Sequence, residues 1–313
     1  MNIHRLVKYN KYTYIPIQSR HAMAKHDIDY LNTIKIPKSY TDVSLSTNQK
    51  AKVIGTGKDK TGKVQYFYSK EWIKKTSKKK YCALAEFGRA LPTIISSIKK
   101  NISGGDGKRI YYISVILRII MFCHFRIGNR KNVNDGITDI SLKNVSIRNN
   151  VVKISFIGKK AQLNECLVSD PNLRRIIKHM YKNVQSRKNF FSFKGVDGAV
   201  HHVSSSDVNN YLKTFGPFTA KMFRTWNANI LYLNYIRSYY TQTPESDLGK
   251  LSRAAIKHTS EQLYNTQSIC KKNYLISTLI EDISTNNINI KRLFGHKATK
   301  IETVVIKYLE SKC

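Results

Sequence analysis

The stretch Ile110–Phe125, IYYISVILRIIMFCHF, is apolar on every side of any helix drawn through it. A surface helix hides one stripe and wets the rest, so a helix without a polar face has to be surrounded by other elements. The run is shorter than the ~20 residues a membrane span needs and carries Arg118 and His124, so it reads as a buried core helix. The 313 residues suffice to bury such a helix and still divide into two domains.

The chain around this helix predicts an α+β fold. Residues 1–79 read as a small β-rich N-terminal domain. Val53-Ile54 and Val64–Tyr68 are strands joined by a turn at Asp59–Gly62. The run Lys74–Lys80, KKTSKKK, reads as a hinge between domains or as a solvated helix end, with a nuclear-import signal a third reading, and residues 80–313 as a mainly helical domain. Helices are predicted over 83–100, 109–127, 171–184, 206–214, 219–240, 245–264 and 300–311. Between them, Val145–Arg148, an Asn149-Asn150 turn, Val151–Ile157 and a strand ending near Val168 form a three-stranded antiparallel sheet, with Lys159 at its second turn.

Charge narrows the function. Lys and Arg total 54 against 20 Asp and Glu, a net charge of +34. A field this unbalanced favours a polyanion, and nucleic acid is the expected partner. The 41% hydrophobic content, with 12 Phe and 19 Tyr, excludes a disordered basic tail. The five cysteines are scattered and form no CxxC pair, which predicts reduced thiols and no zinc site. The start, MNIHRLVKYNKY, has no apolar signal core, so a cytosolic or nuclear protein is expected.

Gly57–Lys63, GKDKTGK, imitates a phosphate-binding loop, but Val64 stands where the metal-binding hydroxyl belongs and a strand follows where a helix is needed. No nucleotide site is expected there. Tyr66 and Tyr68 share one strand face between Lys63 and Lys70, which suits DNA contact or an ordinary cross-strand aromatic face.

Four stretches stand out for chemistry on a phosphodiester: His124-Phe-Arg126-Ile-Gly128 at the end of the buried helix, Ile157-Gly-Lys159, Lys221-Met-Phe-Arg224-Thr-Trp226, and Asn265 with Tyr274. Singly, each has an ordinary reading as a cap, a turn or a packed side chain. In this order and setting, together with Ile36-Pro37, Thr41-Asp42-Val43 and Gln65–Tyr68, they resemble the poxvirus-type type IB DNA topoisomerases, which share a catalytic fold with the tyrosine recombinases. The resemblance implies catalytic roles for Arg126, Lys159, Arg224, Asn265 and Tyr274, with DNA contacts at Gln65, Tyr66, Tyr68 and Lys131. It also implies a monomer that clamps double-stranded DNA and needs no cofactor, metal, nucleotide or membrane. If viral, the protein would sit in the virion and at sites of viral DNA replication.

The chain departs from the family at one point: Asn265 stands where most relatives have histidine, and Tyr264 replaces the usual glycine before it. His258 lies too early in the helix to substitute. Tyr274 would attack the phosphorus to give a 3′-phosphotyrosyl ester, the arginines and Asn265 would stabilise the phosphate, and Lys159 would protonate the leaving 5′-oxygen, directly or through Arg126. No cluster of carboxylates converges on these stretches, as a two-metal nuclease would require. A tyrosine recombinase is the nearest alternative, but it usually shows His-x-x-Arg where this chain has Lys221-x-x-Arg224. A DNA-packaging protein, supported by charge alone, is the other.

Overall fold

The computed structural model describes residues 3–8, 11–16, 23–128, 136–158, 161–242, 247–295 and 299–313. Lys131 and Lys159, both expected site residues, lie outside them. The chain forms two compact units, Met1–Lys80 and Tyr81–Cys313.

The first unit is an antiparallel sheet in the order β2-β1-β3-β4-β5, built from β1 (Ile3–Lys8), β2 (Lys11–Pro16), β3 (Thr41–Leu45), β4 (Val53–Lys58) and β5 (Val64–Tyr68). A helix, α1 (Lys25–Thr33), joins it, and Leu31 packs with Ile3, Ile36, Val43 and Leu45 in a small core. The period-2 alternation of β5 turns Phe67 toward that core and leaves Tyr66 and Tyr68 exposed on the other face. The false phosphate loop is a hairpin turn: the Asp59 carboxylate accepts from the backbone N–H of Thr61 and Lys63, and β5 follows.

The helix α2 (Lys70–Ser103) includes Lys74–Lys80 without interruption, so the expected hinge is helical throughout. Lysine is a good helix former and the run contains neither Gly nor Pro. Further along α2, Gly88 admits the Trp226 indole so closely that a Cβ would meet its ring at 2.4 Å.

In the second unit the apolar run is α3 (Arg109–Cys123), with Val115, Ile116, Leu117, Ile119 and Ile120 fully buried. Its β-branched composition disfavours a lone helix, and burial overrides that preference. Arg118 is accommodated by an ion pair at 2.7 Å to Asp170, which also caps α4 (Pro171–Lys182) through the Leu173 N–H. The three-stranded sheet is as expected: β6 (Val145–Arg148), β7 (Val151–Ile157) and β8 (Leu163–Val168). Asn149 and Asn150 both take positive φ at the first turn. Two short strands, β9 (Ser192–Lys194) and β10 (Val200–His202), then lead into α5 (Ser205–Lys213), α6 (Ala220–Gln242), α7 (Leu248–Gln262), α8 (Gln267–Asn273), α9 (Ser277–Ser284), α10 (Ile290–Phe294) and α11 (Ile301–Glu310).

One expectation fails. Cys123, the last residue of α3, is disulfide-bonded to Cys166 in β8, with the Cα atoms 5.6 Å apart. Chain separation hid the pair, because the β7–β8 hairpin carries Cys166 back onto the helix end. Cys82, Cys270 and Cys313 remain free. No helix among the described residues is long and apolar enough to cross a membrane.

Candidate active site

Arg126 owes its position to a rigid helix end. His124 closes α3 in the left-handed region (φ 57°), and Phe125 then buries its ring against Phe156 and Tyr264. The backbone beyond is held by two bonds, Ile137 N–H to Arg126 O at 2.8 Å and Thr138 N–H to Ile127 O at 2.9 Å. Gly128 has φ +114°, where a Cβ would also strike the Asp139 carboxylate at 2.4 Å, so the Arg-x-Gly setting requires glycine.

Arg224 lies in α6 between the buried Phe223 and Trp226 and is only 2% exposed. One Nη donates to the carbonyl of His124 and the other to the carbonyl of Leu263 at 2.8 Å. These bonds fix the guanidinium without neutralising it. Burial pushes its pKa down first, and the charge of Arg126 pushes it further. His124 beside it is held neutral, with a pKa pushed down to about 4 by burial and then by the Arg224 charge.

Asn265 ties the two arginines together. Its Oδ1 accepts from Arg126 Nη2 at 2.6 Å, and its Nδ2 donates to Leu263 O at 3.1 Å, the carbonyl that also receives Arg224. Among the described residues neither guanidinium pairs with a carboxylate within 4.0 Å.

Tyr274 ends α8 and is 7% exposed. Arg224 Cζ lies 5.0 Å from its ring centroid and Lys221 Nζ 6.0 Å. Burial pushes the phenol pKa up, but the charges of Arg224 and then Arg126, with their hydrogen bonds to it, outweigh burial and leave it below its usual value. A buried tyrosine ordinarily becomes a weaker acid; this one becomes stronger.

Four of the five expected catalytic residues are thus brought together, while Lys159 lies beyond the described part of the β7–β8 hairpin. Of the expected DNA contacts, Tyr66 and Tyr68 are 58% and 40% exposed, and Lys131 is outside the described residues. Gln65 is on the opposite face of β5, with Nε2 bonded to Asp59 Oδ2 at 2.8 Å.

Sequence reasoning missed Asn229. Fully buried, it donates to Tyr274 O at 3.0 Å and accepts from Ile276 N–H at 3.0 Å, holding the main chain that leaves Tyr274 on either side of Leu275. The available signal was a polar residue on the i, i+3, i+4, i+7 stripe with Tyr232, Leu233 and Ile236.

A helical unit with a small antiparallel sheet thus holds two guanidiniums, neither paired with a carboxylate among the described residues, against a buried tyrosine, an arrangement suited to chemistry on a phosphate. Residues 69–298 match the family described as the eukaryotic DNA topoisomerase I catalytic core. The chain belongs to this family: it is a type IB DNA topoisomerase of the poxvirus type. It is similar to the DNA topoisomerase 1B of Acanthamoeba polyphaga mimivirus, 26% identical over 296 residues, spanning 91% of this chain and 88% of the relative. It is also similar to the DNA topoisomerase I of monkeypox virus, 27% identical over 269 residues (83% and 82%), and to the DNA topoisomerase 1B of vaccinia virus, strain Copenhagen, 26% identical over 269 residues (83% and 82%). None of these relatives carries a recombinase name.

Proposed function

We propose that the enzyme relaxes supercoiled double-stranded DNA by opening one strand at a time through Tyr274. The phenolic oxygen attacks a backbone phosphorus, a 3′-phosphotyrosyl ester forms, and the 5′-oxygen leaves with a proton. The free end rotates, then reattacks and restores the phosphodiester, releasing Tyr274. The ester conserves the energy of the broken bond, so resealing requires no ATP. Two observations support these roles: among the described residues the guanidiniums face the tyrosine without carboxylate partners, and their charge strengthens the phenol as an acid despite burial.

Arg126 and Arg224 are permanently charged planar donors suited to the non-bridging oxygens, where negative charge grows in the transition state. Asn265 holds Arg126 and offers a neutral amide donor to the same phosphate. Lys159 is assigned as the general acid for the 5′-oxygen, on sequence alone. The aromatic face of Tyr66 and Tyr68 and the +34 charge favour a monomer that clamps the duplex, with Gln65 and Lys131 as further contacts. The viral relatives favour action in the virion and where viral DNA is copied.

The test is relaxation of supercoiled plasmid by purified protein in EDTA and without ATP. A ladder of relaxed topoisomers is expected; a requirement for added Mg²⁺ or nucleotide refutes the mechanism. Recombined products in place of relaxed ones would return the tyrosine recombinase.

A further inference from the structure

Tyr264 occupies a backbone conformation that suits glycine and not tyrosine. Its φ is +52°, in the left-handed region. A bulky residue there is disfavoured and persists only where its surroundings hold it. Here they do: the Tyr264 hydroxyl donates to the backbone carbonyl of Glu165 in β8, its ring lies 5.6 Å from that of Phe125, and its N–H donates to Glu261 O at 3.1 Å.

Its chain neighbours are the two residues that join the arginines. Leu263, immediately before, provides the carbonyl that receives Arg224 and the Asn265 amide. Asn265, immediately after, accepts from Arg126, while its own N–H is bonded to Ser260 O at 2.9 Å. The far end of the strut lies in β8, the strand that follows Lys159 in sequence, and the next residue along it, Cys166, is bonded to the helix end preceding Arg126. A glycine would give the turn without strain but nothing to brace it.

We propose that Tyr264 is a positioning residue, a strut whose hydroxyl bond to Glu165 sets the Asn265 turn against β8 and so fixes where Asn265 holds Arg126. The proposal rests on the assignment of Arg126 and Asn265 to the cleavage site.

The experiment measures single-turnover cleavage of a nicked-duplex DNA, with the covalent adduct trapped in detergent, alongside DNA affinity and melting temperature. Tyr264→Phe removes one oxygen and keeps the ring. The expected result is cleavage slowed about fivefold, the worth of one buried hydrogen bond, with affinity unchanged. In an Asn265→Ala background the same change should have no further effect, because the strut then has nothing to place. Tyr264→Gly, relieved of left-handed strain but deprived of the ring and its bond, should also cleave slowly, and the melting temperature of Tyr264→Phe, which keeps the ring packing, separates placement from fold stability.

Wild-type rates for Tyr264→Phe and Tyr264→Gly overturn the strut, as does a fivefold loss that persists undiminished in Asn265→Ala. Failure of wild type to form any adduct, or wild-type cleavage by Asn265→Ala, overturns the site assignment and the strut with it.

Discussion

Asn265→Asp changes an amide to a carboxylate of nearly the same shape, and so separates two accounts of what Asn265 contributes. If its value is geometric, an isosteric replacement that still accepts from Arg126 should outperform alanine, which leaves a hole. If the site works by keeping its cations uncompensated, the carboxylate should be worse than the hole. The structure favours the second outcome, because Asn265 Oδ1 already sits 2.6 Å from Arg126 Nη2 and neither arginine has an acidic partner among the described residues.

Asn265→Ala loses a donor and the anchor of Arg126, about 10²-fold in cleavage for a group of this kind. The carboxylate adds a unit charge beside the phosphate. At about 4 Å and an effective dielectric near 20 this opposes the transition state by about 4 kcal/mol, roughly 10³-fold. The ion pair it forms with Arg126 should keep its melting temperature at or above that of Asn265→Ala. Single-turnover adduct formation at saturating enzyme reads both variants on one scale. Cleavage by Asn265→Asp equal to or faster than by Asn265→Ala refutes the electrostatic reasoning.

Tyr274→Phe should bind duplex DNA as wild type does and give no detergent-stable adduct; peptide mapping of a residual adduct would reveal another nucleophile. Arg126→Ala should move the pH–rate profile for cleavage upward, toward the ordinary phenol pKa of about 10, because burial then acts on Tyr274 with one opposing charge removed. An unmoved profile would separate Arg126 from the ionisation of Tyr274. Lys159→Ala should be slow on normal DNA and rescued when the 5′ leaving atom is sulfur, since a thiolate departs without a proton; lack of rescue removes Lys159 as the acid. Reduction of Cys123–Cys166, with a sequence separation of 43, should lower unfolding free energy by about 4 kcal/mol on loop-closure grounds, read by denaturant melts with and without dithiothreitol. Equal melts for a protein whose disulfide is intact by mass would contradict this.

Residues whose role is set by local chain chemistry were readable in advance. The apolar run had to be a surrounded helix and Asn149-Asn150 had to turn, whereas Arg126 and Arg224 were singled out by the family resemblance of their Arg-x-Gly and Arg-Thr-Trp settings. What escaped depends on distant segments meeting. The partners that hold Arg224 are the carbonyls of His124 and Leu263, and a carbonyl is present at every position. Cys123 and Cys166 meet only because a hairpin doubles back, and Asn229 acquires a role only once the end of α8 lies against α6. Lys74–Lys80 stood between a hinge and a helix end because charge alone does not separate the two; lysine readily continues a helix, and α2 runs through it.

The buried guanidinium of Arg224 also bears on how stable the empty enzyme can be. A charge 2% exposed and hydrogen-bonded to two carbonyls, beside a phenol and a second guanidinium, gives up hydration that these dipoles replace incompletely. The folded chain therefore carries a deficit that an anion at the site would relieve. By mass action, DNA acts as a stabiliser of the fold as well as the molecule cut. Selection for a tougher protein would favour a methionine or leucine in that helix position, and the proposed role of Arg224 at the phosphate opposes that exchange. The enzyme accordingly sits below the stability its core could reach, by an amount fixed at one side chain.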